Sequence, residues 1–290
     1  YLWYLDLIEF RYRSEEGCKW LMVLTDAATQ YYQLIPLYWK SDAAYELRRW
    51  IRTMRAHPSY VGFDLYGIIS AIHTDNESVW AEECTNFTEI IEAEGGLDMI
   101  YSDPGEHARE NSRAEGANKI IEAGIQSLLY EKNLPPSWWQ RAANDVQFLG
   151  NRHPPYSLDA NVPLDGDMAS PIERMFLGYV SHHQVYREID CFVAVGTLAM
   201  CHVKKVKGSD LEPKVRWAVA IGQRGKVTRW MCPFTKARFK NRSFRAITLR
   251  QGLNFSQFLG WGEISPSAQS KLLPQDLREE WRWELPATDL

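Results

Sequence analysis

Short apolar runs alternate with amphipathic segments along the first half of the chain, an order typical of α/β proteins. Three apolar runs come first, at residues 1–10, 20–25 and 31–37, and the short turn 26–29 predicts an antiparallel meander. The elements that follow are a helix from Ser41-Asp42 to about Arg55, a strand at 67–73, a helix near 79–94 and a strand at 97–101.

Two further helices are predicted after a polar loop at 102–111. The first spans about 112–131, where apolar residues recur at helical spacing, and the second begins at Ser137. Three strands, then helix, strand, helix, strand and helices is the order of a ribonuclease H-like fold. We therefore expect an α/β domain over residues 1–152, with a five-stranded mixed sheet flanked by helices.

The remaining chain divides into three parts. Residues 153–189 are weakly periodic and predict a connector with one short helix near Pro171–Leu177. Residues 190–255 predict a small basic β-barrel-like domain. Its expected strands are 191–203, 215–221, 227–232 and 243–249. The tail 256–290 could form one helix at 272–283. Because the chain opens on a strand without Met, we expect further residues before Tyr1.

Charge is distributed unevenly along the chain. Residues 1–189 carry a net charge of −12, and residues 190–255 carry 14 Lys and Arg against three Asp and Glu, a net charge of +11. A basic module of this kind predicts polyanion binding, although the cations could also only solubilise exposed strands. The expected contacts to DNA phosphates are Lys204, Lys205, Lys207, Arg238, Lys240 and Arg242. No segment approaches the roughly 18 consecutive apolar residues of a membrane span, so no membrane partner is expected.

Three acids stand in unusual surroundings. Asp6 interrupts the first apolar run, Asp75 ends the apolar run 67–74, and Glu115 lies on the first turns of the helix 112–131. A carboxylate in a hydrophobic strand costs several kcal/mol unless it is paired. A shared divalent metal explains all three together, which is typical of metal-dependent nucleases and DNA strand transferases.

Other candidates have simpler interpretations. Asp26 could be a fourth ligand but fits a turn, and His73 fits strand packing. The pair Trp138-Trp139 fits the core better than a base-stacking platform. The five cysteines are scattered without a CxxC, which indicates a reducing compartment. His182, His183, Cys191 and Cys201 have no recognised zinc spacing.

Several motifs carry a resemblance to a known family. They are Thr74-Asp-Asn-Glu-Ser-Val-Trp80, Ser102-Asp-Pro104, Glu110-Asn-Ser-Arg-Ala-Glu-Gly-Ala-Asn-Lys119, and Asn133-Leu-Pro-Pro-Ser-Trp-Trp139. Together they resemble the integrase catalytic core of copia-type retrotransposons, and weaker similarity to the small domain after that core continues to about residue 250.

The resemblance implies specific roles. Asp6, Asp75 and Glu115 would be catalytic and would hold two Mg²⁺ (or Mn²⁺) ions. Asn118 and Lys119, on the same helix face, would bind DNA, with Lys119 on a phosphate. The activity would be 3′-end processing and joining of element DNA to target DNA. A homo-oligomer acting in the nucleus, after a cytoplasmic phase in element particles, is expected. Two alternatives stay open, a hydrolytic nuclease of the same fold and a catalytically decayed DNA-binding remnant.

Overall fold

The structure, a computed structural model, describes twelve stretches of the chain. They are 2–58, 69–74, 93–95, 97–101, 112–132, 134–153, 169–176, 179–202, 215–224, 227–232, 238–241 and 244–247. The predicted helices near 79–94 and at 272–283 lie almost wholly or wholly outside these residues. The contacts between residues divide the chain into two units. One comprises residues within 1–127 and 136–189, and the other comprises residues within 128–135 and 190–290.

The first unit is built on a five-stranded mixed sheet. Its strands are β1 (Leu2–Glu9), β2 (Trp20–Asp26), β3 (Tyr32–Leu37), β4 (Ala71–Thr74) and β5 (Asp98–Tyr101), in the spatial order β3-β2-β1-β4-β5. The first three are antiparallel neighbours, whereas β4 runs parallel to both β1 and β5. Four helices of this unit are α1 (Ala43–Arg55), α3 (Trp139–Gly150), α4 (Pro171–Met175) and α5 (His182–Asp190), and most of α2 (Ser112–Glu131) belongs to it too. The predicted α/β class and mixed sheet flanked by helices are confirmed.

One face of the sheet packs against helix α1. Trp3 and Leu5 of β1 are fully buried there, beside Leu47 and Trp50 of the helix, and the Trp3 and Trp50 rings meet edge to face at 4.7 Å. Alternate residues of a strand turn to opposite faces, so Trp3 and Leu5 share the face that packs against α1. Asp42 was expected to cap α1, but its carboxylate instead accepts the N–H of Trp39, because a 3₁₀ turn at Lys40–Asp42 precedes the helix.

The edge strand β3 is bonded along its outer side by helix α3. Asn151, which follows the helix, accepts the N–H of Tyr32 at 2.9 Å and donates to its carbonyl at 2.7 Å. Gln147 accepts the N–H of Leu34 at 2.8 Å, and the next outward-facing position is Pro36, which has no N–H. A methyl group on Gly150 would lie 1.8 Å from the Tyr32 hydroxyl oxygen, so only glycine allows this close approach.

The connector 153–189 holds more helix than expected. The predicted helix near Pro171–Leu177 is α4, but α5 was missed because it is short and polar and has Val185 as its buried residue. Its start does carry a sequence signal. Ser181 and Gln184 have the spacing of a capping box, and the Gln184 N–H donates to the Ser181 hydroxyl at 3.3 Å.

The second unit contains an antiparallel sheet. Its strands are β6 (Leu198–His202), β7 (Val215–Arg224), β8 (Val227–Met231), β9 (Arg238–Asn241) and β10 (Phe244–Ile247), in the order β10-β6-β7-β8-β9. The strand predicted from 191 begins only at 198, because a turn with Gly196 at φ +81° comes first. Trp230 is fully buried against Phe239 and Phe244. Closure into a barrel stays a prediction.

Within the described stretches, no helix has the length and apolar character needed to cross a membrane.

Candidate active site

Asp6 lies in the central strand of the first sheet, on the face opposite Trp3 and Leu5. The Leu7 N–H donates to Asp6 Oδ1 at 2.7 Å, and the side-chain amide of Asn118 donates to Asp6 Oδ2 at 2.6 Å. The carboxylate is half-buried. Both of these donors are neutral, so they orient the carboxylate without neutralising its charge.

Asn118 reaches Asp6 from helix α2. The helix buries a stripe that includes Ala114, Ile121 and Ile125, and Asn118 lies at the edge of this stripe. Its Oδ1 atom is buried and, among the described residues, has no hydrogen-bond partner. A buried carbonyl oxygen beside a carboxylate is an acceptor pair suited to a cation or a water molecule.

Glu115 lies one helical turn before Asn118. Its side chain is half exposed and forms an ion pair with Lys119, the two charged atoms being 3.7 Å apart. Lys119 is 78% exposed, so solvent screens this pair and either side chain can reorient at little cost. The i and i+4 spacing places both on one helix face, as expected from the sequence.

Asp75, the third predicted ligand, lies outside the described residues. The strand that leads to it, β4, pairs with β1 in parallel, and the last described pair joins Leu5 to Thr74. Asp6 and Asp75 are the residues that follow Leu5 and Thr74 in the sequence. His73, two residues earlier, is buried, and its ring lies 5.5 Å from that of Tyr4. His73 therefore packs against the neighbouring strand β1, as predicted from the sequence.

The donor set around Asp6 suits a hard divalent cation. Asp6 supplies carboxylate oxygens and Asn118 supplies a buried amide oxygen without a described partner, and Mg²⁺ and Mn²⁺ prefer oxygen ligands. No group of three or more Asp, Glu, His or Cys that could hold a metal occurs within the described stretches. Asp6 and Asn118 therefore fit one side of a metal site, and Asp75 would be needed to complete it.

Asp26, the candidate fourth ligand, belongs to a turn. Its Oδ2 atom accepts both the N–H and the hydroxyl of Thr29, each at 2.7 Å, and the residue is 1% exposed. It also pairs with Trp3 across the sheet, and Trp3 turns to the face opposite Asp6. Trp138 and Trp139 are each 1% exposed, and Phe10 stacks on Trp139 at 4.1 Å, so both tryptophans belong to the core.

The His and Cys side chains that lack a zinc spacing in the sequence have other surroundings. His182 Nδ1 lies 2.9 Å from Oε1 of Glu173. The other carboxylate oxygen of Glu173, Oε2, accepts hydrogen bonds from the N–H and the hydroxyl of Ser170. Burial raises the pKa of the Cys201 thiol to about 12, so the thiolate form that binds metals is strongly disfavoured.

The second unit carries exposed cations on one side of its edge strand β9. Arg238 and Lys240 are exposed, whereas Phe239 between them packs on Trp230. Arg229 of β8 is exposed and stands opposite Lys240 in the strand register. Sequence reasoning missed Arg229, although the alternation in β8 of buried Thr228 and Trp230 around it indicated an outward side chain. The other predicted contacts, Lys204, Lys205, Lys207 and Arg242, lie outside the described residues.

Comparison with known proteins leaves the family open. Neither a scan against protein-family models nor a search of curated proteins finds a match to this sequence. The resemblance to copia-type integrases therefore depends on the sequence motifs given above.

Proposed function

We propose that this protein is an integrase-type DNA strand transferase with a ribonuclease H-like catalytic core. The order β3-β2-β1-β4-β5, with three antiparallel strands followed by two parallel ones, is compatible with that fold. The observation that carries the proposal is Asp6, a half-buried carboxylate in the central strand that is oriented by Asn118 from the following helix α2. Hydrogen bonds to both of its oxygens hold this carboxylate in one orientation, which supports a role in holding a cation.

In this proposal the other two acids would lie near Asp6. The last described pair of the parallel register joins Leu5 to Thr74, the residues that precede Asp6 and Asp75 in the sequence, and Glu115 lies one turn before Asn118. These three carboxylates would hold the metal ions. Bound divalent ions would activate the attacking water or 3′-hydroxyl and stabilise the leaving oxygen at phosphorus.

The chain's own residues have separate tasks in this scheme. The Leu7 N–H and the Asn118 amide hold the Asp6 carboxylate in one orientation, so less ordering is needed when a substrate binds. Lys119 is exposed beside Glu115 and can move to a DNA phosphate, which positions the strand without reading its sequence. The basic residues within 190–255 would bind the same DNA. The proposal also includes a homo-oligomeric enzyme that acts in the nucleus.

The decisive experiment compares two glutamates of helix α2. Glu115→Gln removes a proposed ligand charge, and Glu122→Gln makes the same change about 10 Å farther along the helix. With Mn²⁺ and duplex DNA that carries the element's ends, only Glu115→Gln should abolish nicking and strand joining. Equal activity of the two variants would contradict the assignment of Glu115.

The substrate separates this proposal from its alternatives. A hydrolytic nuclease would cleave RNA–DNA hybrids or junctions and would not join strands. A decayed remnant would bind DNA without any metal-dependent cleavage. Strand joining is the product that neither alternative yields.

A further inference from the structure

Three large aromatic side chains are exposed on the segments that follow strands β1 and β3. Tyr12 and Tyr38 are each 52% exposed, and Trp39 is 61% exposed. Single exposed aromatic residues are common, but several exposed together indicate a binding surface. We call Tyr12, Tyr38 and Trp39, with the cations that contact them, the ring patch.

Backbone hydrogen bonds hold the segments of the ring patch next to one another. The Phe10 N–H donates to the Lys19 carbonyl, and the Lys19 N–H donates to the Leu37 carbonyl, both at 3.0 Å. Tyr12 lies two residues after Phe10, and Tyr38 directly follows Leu37. Gly17 has φ +91°, a backbone conformation that favours glycine. It also lies close to Tyr38, since a methyl group on Gly17 would lie 3.3 Å from the ring.

Cations border the rings. The guanidinium of Arg13 lies 4.9 Å from the centre of the Trp39 ring, and that of Arg11 lies 5.5 Å from the Tyr12 ring. Arg13 also donates to the Gly17 carbonyl at 2.8 Å, a neutral partner that leaves its charge intact. Lys40 lies 5.2 Å from the Trp20 ring. Rings interleaved with cations complement a chain of bases joined by phosphates.

The ring patch lies at the same edge of the sheet as the candidate active site. Strands β1, β3 and β4 run in one direction, and the patch follows the ends of β1 and β3. Glu9, where β1 ends, is three residues beyond Asp6, a distance of about 10 Å along the strand. The patch begins two residues beyond Glu9, at Arg11, so one polynucleotide of several nucleotides could contact both sites.

We propose that the ring patch binds an unpaired stretch of polynucleotide by stacking bases on Trp39, Tyr38 and Tyr12, while Arg11 and Arg13 contact its phosphates. The proposal rests on the proposed function for its ligand class, since a strand-transfer substrate exposes unpaired nucleotides at its ends. Stacking tolerates any base, so the patch would hold the strand without choosing a sequence.

Binding can be measured apart from catalysis. The probe is a fluorescein-labelled 12-nucleotide oligo(dT), titrated in EDTA and followed by anisotropy. We expect Trp39→Ala and Tyr12→Ala each to weaken binding by roughly 5- to 150-fold, the range expected for loss of one stacked base. Trp39→Phe should keep most of the affinity. Tyr186→Ala is the matched control, because Tyr186 is 54% exposed on helix α5, away from the patch.

A second probe separates stacking from charge. An abasic oligonucleotide of the same length has the same phosphates, so the proposal requires it to bind the wild type far more weakly than oligo(dT). Equal affinity for the two probes, or unchanged affinity in both alanine variants, would overturn the proposal. So would tight binding of a proline-rich peptide with no binding of oligo(dT). These outcomes are independent of strand transfer, which is tested by Glu115→Gln.

Discussion

Asn118 of helix α2 donates a 2.6 Å hydrogen bond to Asp6 of strand β1, across 112 residues of sequence. This bond joins the central strand of the sheet to the helix that carries Glu115. It also leaves the Asn118 carbonyl oxygen buried beside the Asp6 carboxylate, with no hydrogen-bond partner among the described residues.

The Asp6–Asn118 pair gives a first prediction. Asn118→Ala removes a hydrogen bond to a half-buried carboxylate, so it should lower the free energy of unfolding by about 1–2 kcal/mol in a urea titration. Lys119→Ala, on the neighbouring exposed position, should change it by less than about 0.5 kcal/mol. Asn118→Asp should destabilise the protein more than Asn118→Ala does, because two carboxylates would face each other. Added Mn²⁺ should reduce that excess, and a destabilisation unaffected by Mn²⁺ would argue against a cation beside Asp6.

Metal binding can be detected without DNA. A ligand that binds only the folded protein stabilises it by about 2.7 kcal/mol at a hundredfold excess over its Kd. Differential scanning calorimetry with Mn²⁺ should therefore raise the Tm of the wild type by several degrees. Asp6→Asn and Asp75→Asn should abolish this rise, whereas Glu122→Gln should keep it. A rise that survives in Asp6→Asn would place the metal elsewhere.

Glu94 predicts an acid-sensitive contribution to stability. It accepts hydrogen bonds from Nε of Arg48 at 2.6 Å and from Nε of Arg52 at 2.8 Å, and its side chain is 7% exposed. Burial raises the pKa of Glu94, but these two arginine hydrogen bonds outweigh it and hold the pKa below its ordinary value of 4.5. The stabilisation is therefore complete above pH 4.5 and is lost as the pH falls through the lowered folded pKa.

The measurement for Glu94 is urea unfolding between pH 3 and pH 7. Glu94→Gln should cost about 1–2 kcal/mol at pH 7, and the difference from wild type should shrink below pH 4.5. Glu122→Gln serves as the control. A difference that does not depend on pH would show that the Glu94 charge is not what Arg48 and Arg52 stabilise.

The exposed cations of the second sheet predict a salt effect. If Arg229 and Lys240 bind DNA phosphates, changing both to Gln should reduce the magnitude of the negative slope of log affinity against log salt by about 0.9 for each phosphate that is no longer neutralised. The double variant Lys132→Gln with Arg187→Gln removes the same charge elsewhere and should leave the slope unchanged. Anisotropy titrations at several salt concentrations give the slope. If both double variants change the slope equally, the simpler role is favoured, in which the exposed cations at β9 prevent the edge strand from pairing with other molecules.

Local patterns predicted most of the first sheet because burial repeats at fixed periods in sequence. The apolar run around Asp6 and the helical stripe of α2 were visible in this way. The bond from Asn118 to Asp6 was not, because nothing local records which residues meet across 112 positions. Helix α5 was missed because one buried residue, Val185, leaves no period to detect. The late start of β6 depends on a turn at Gly196, which composition alone does not place.

The outer side of strand β3 has one more consequence. Its backbone N–H groups at Tyr32 and Leu34 are already bonded to Asn151 and Gln147, and Pro36 offers none. This edge therefore cannot recruit a strand from a second molecule. Among the described strands the other edge of this sheet is β5, so copies of the protein that extend the described sheet would join there.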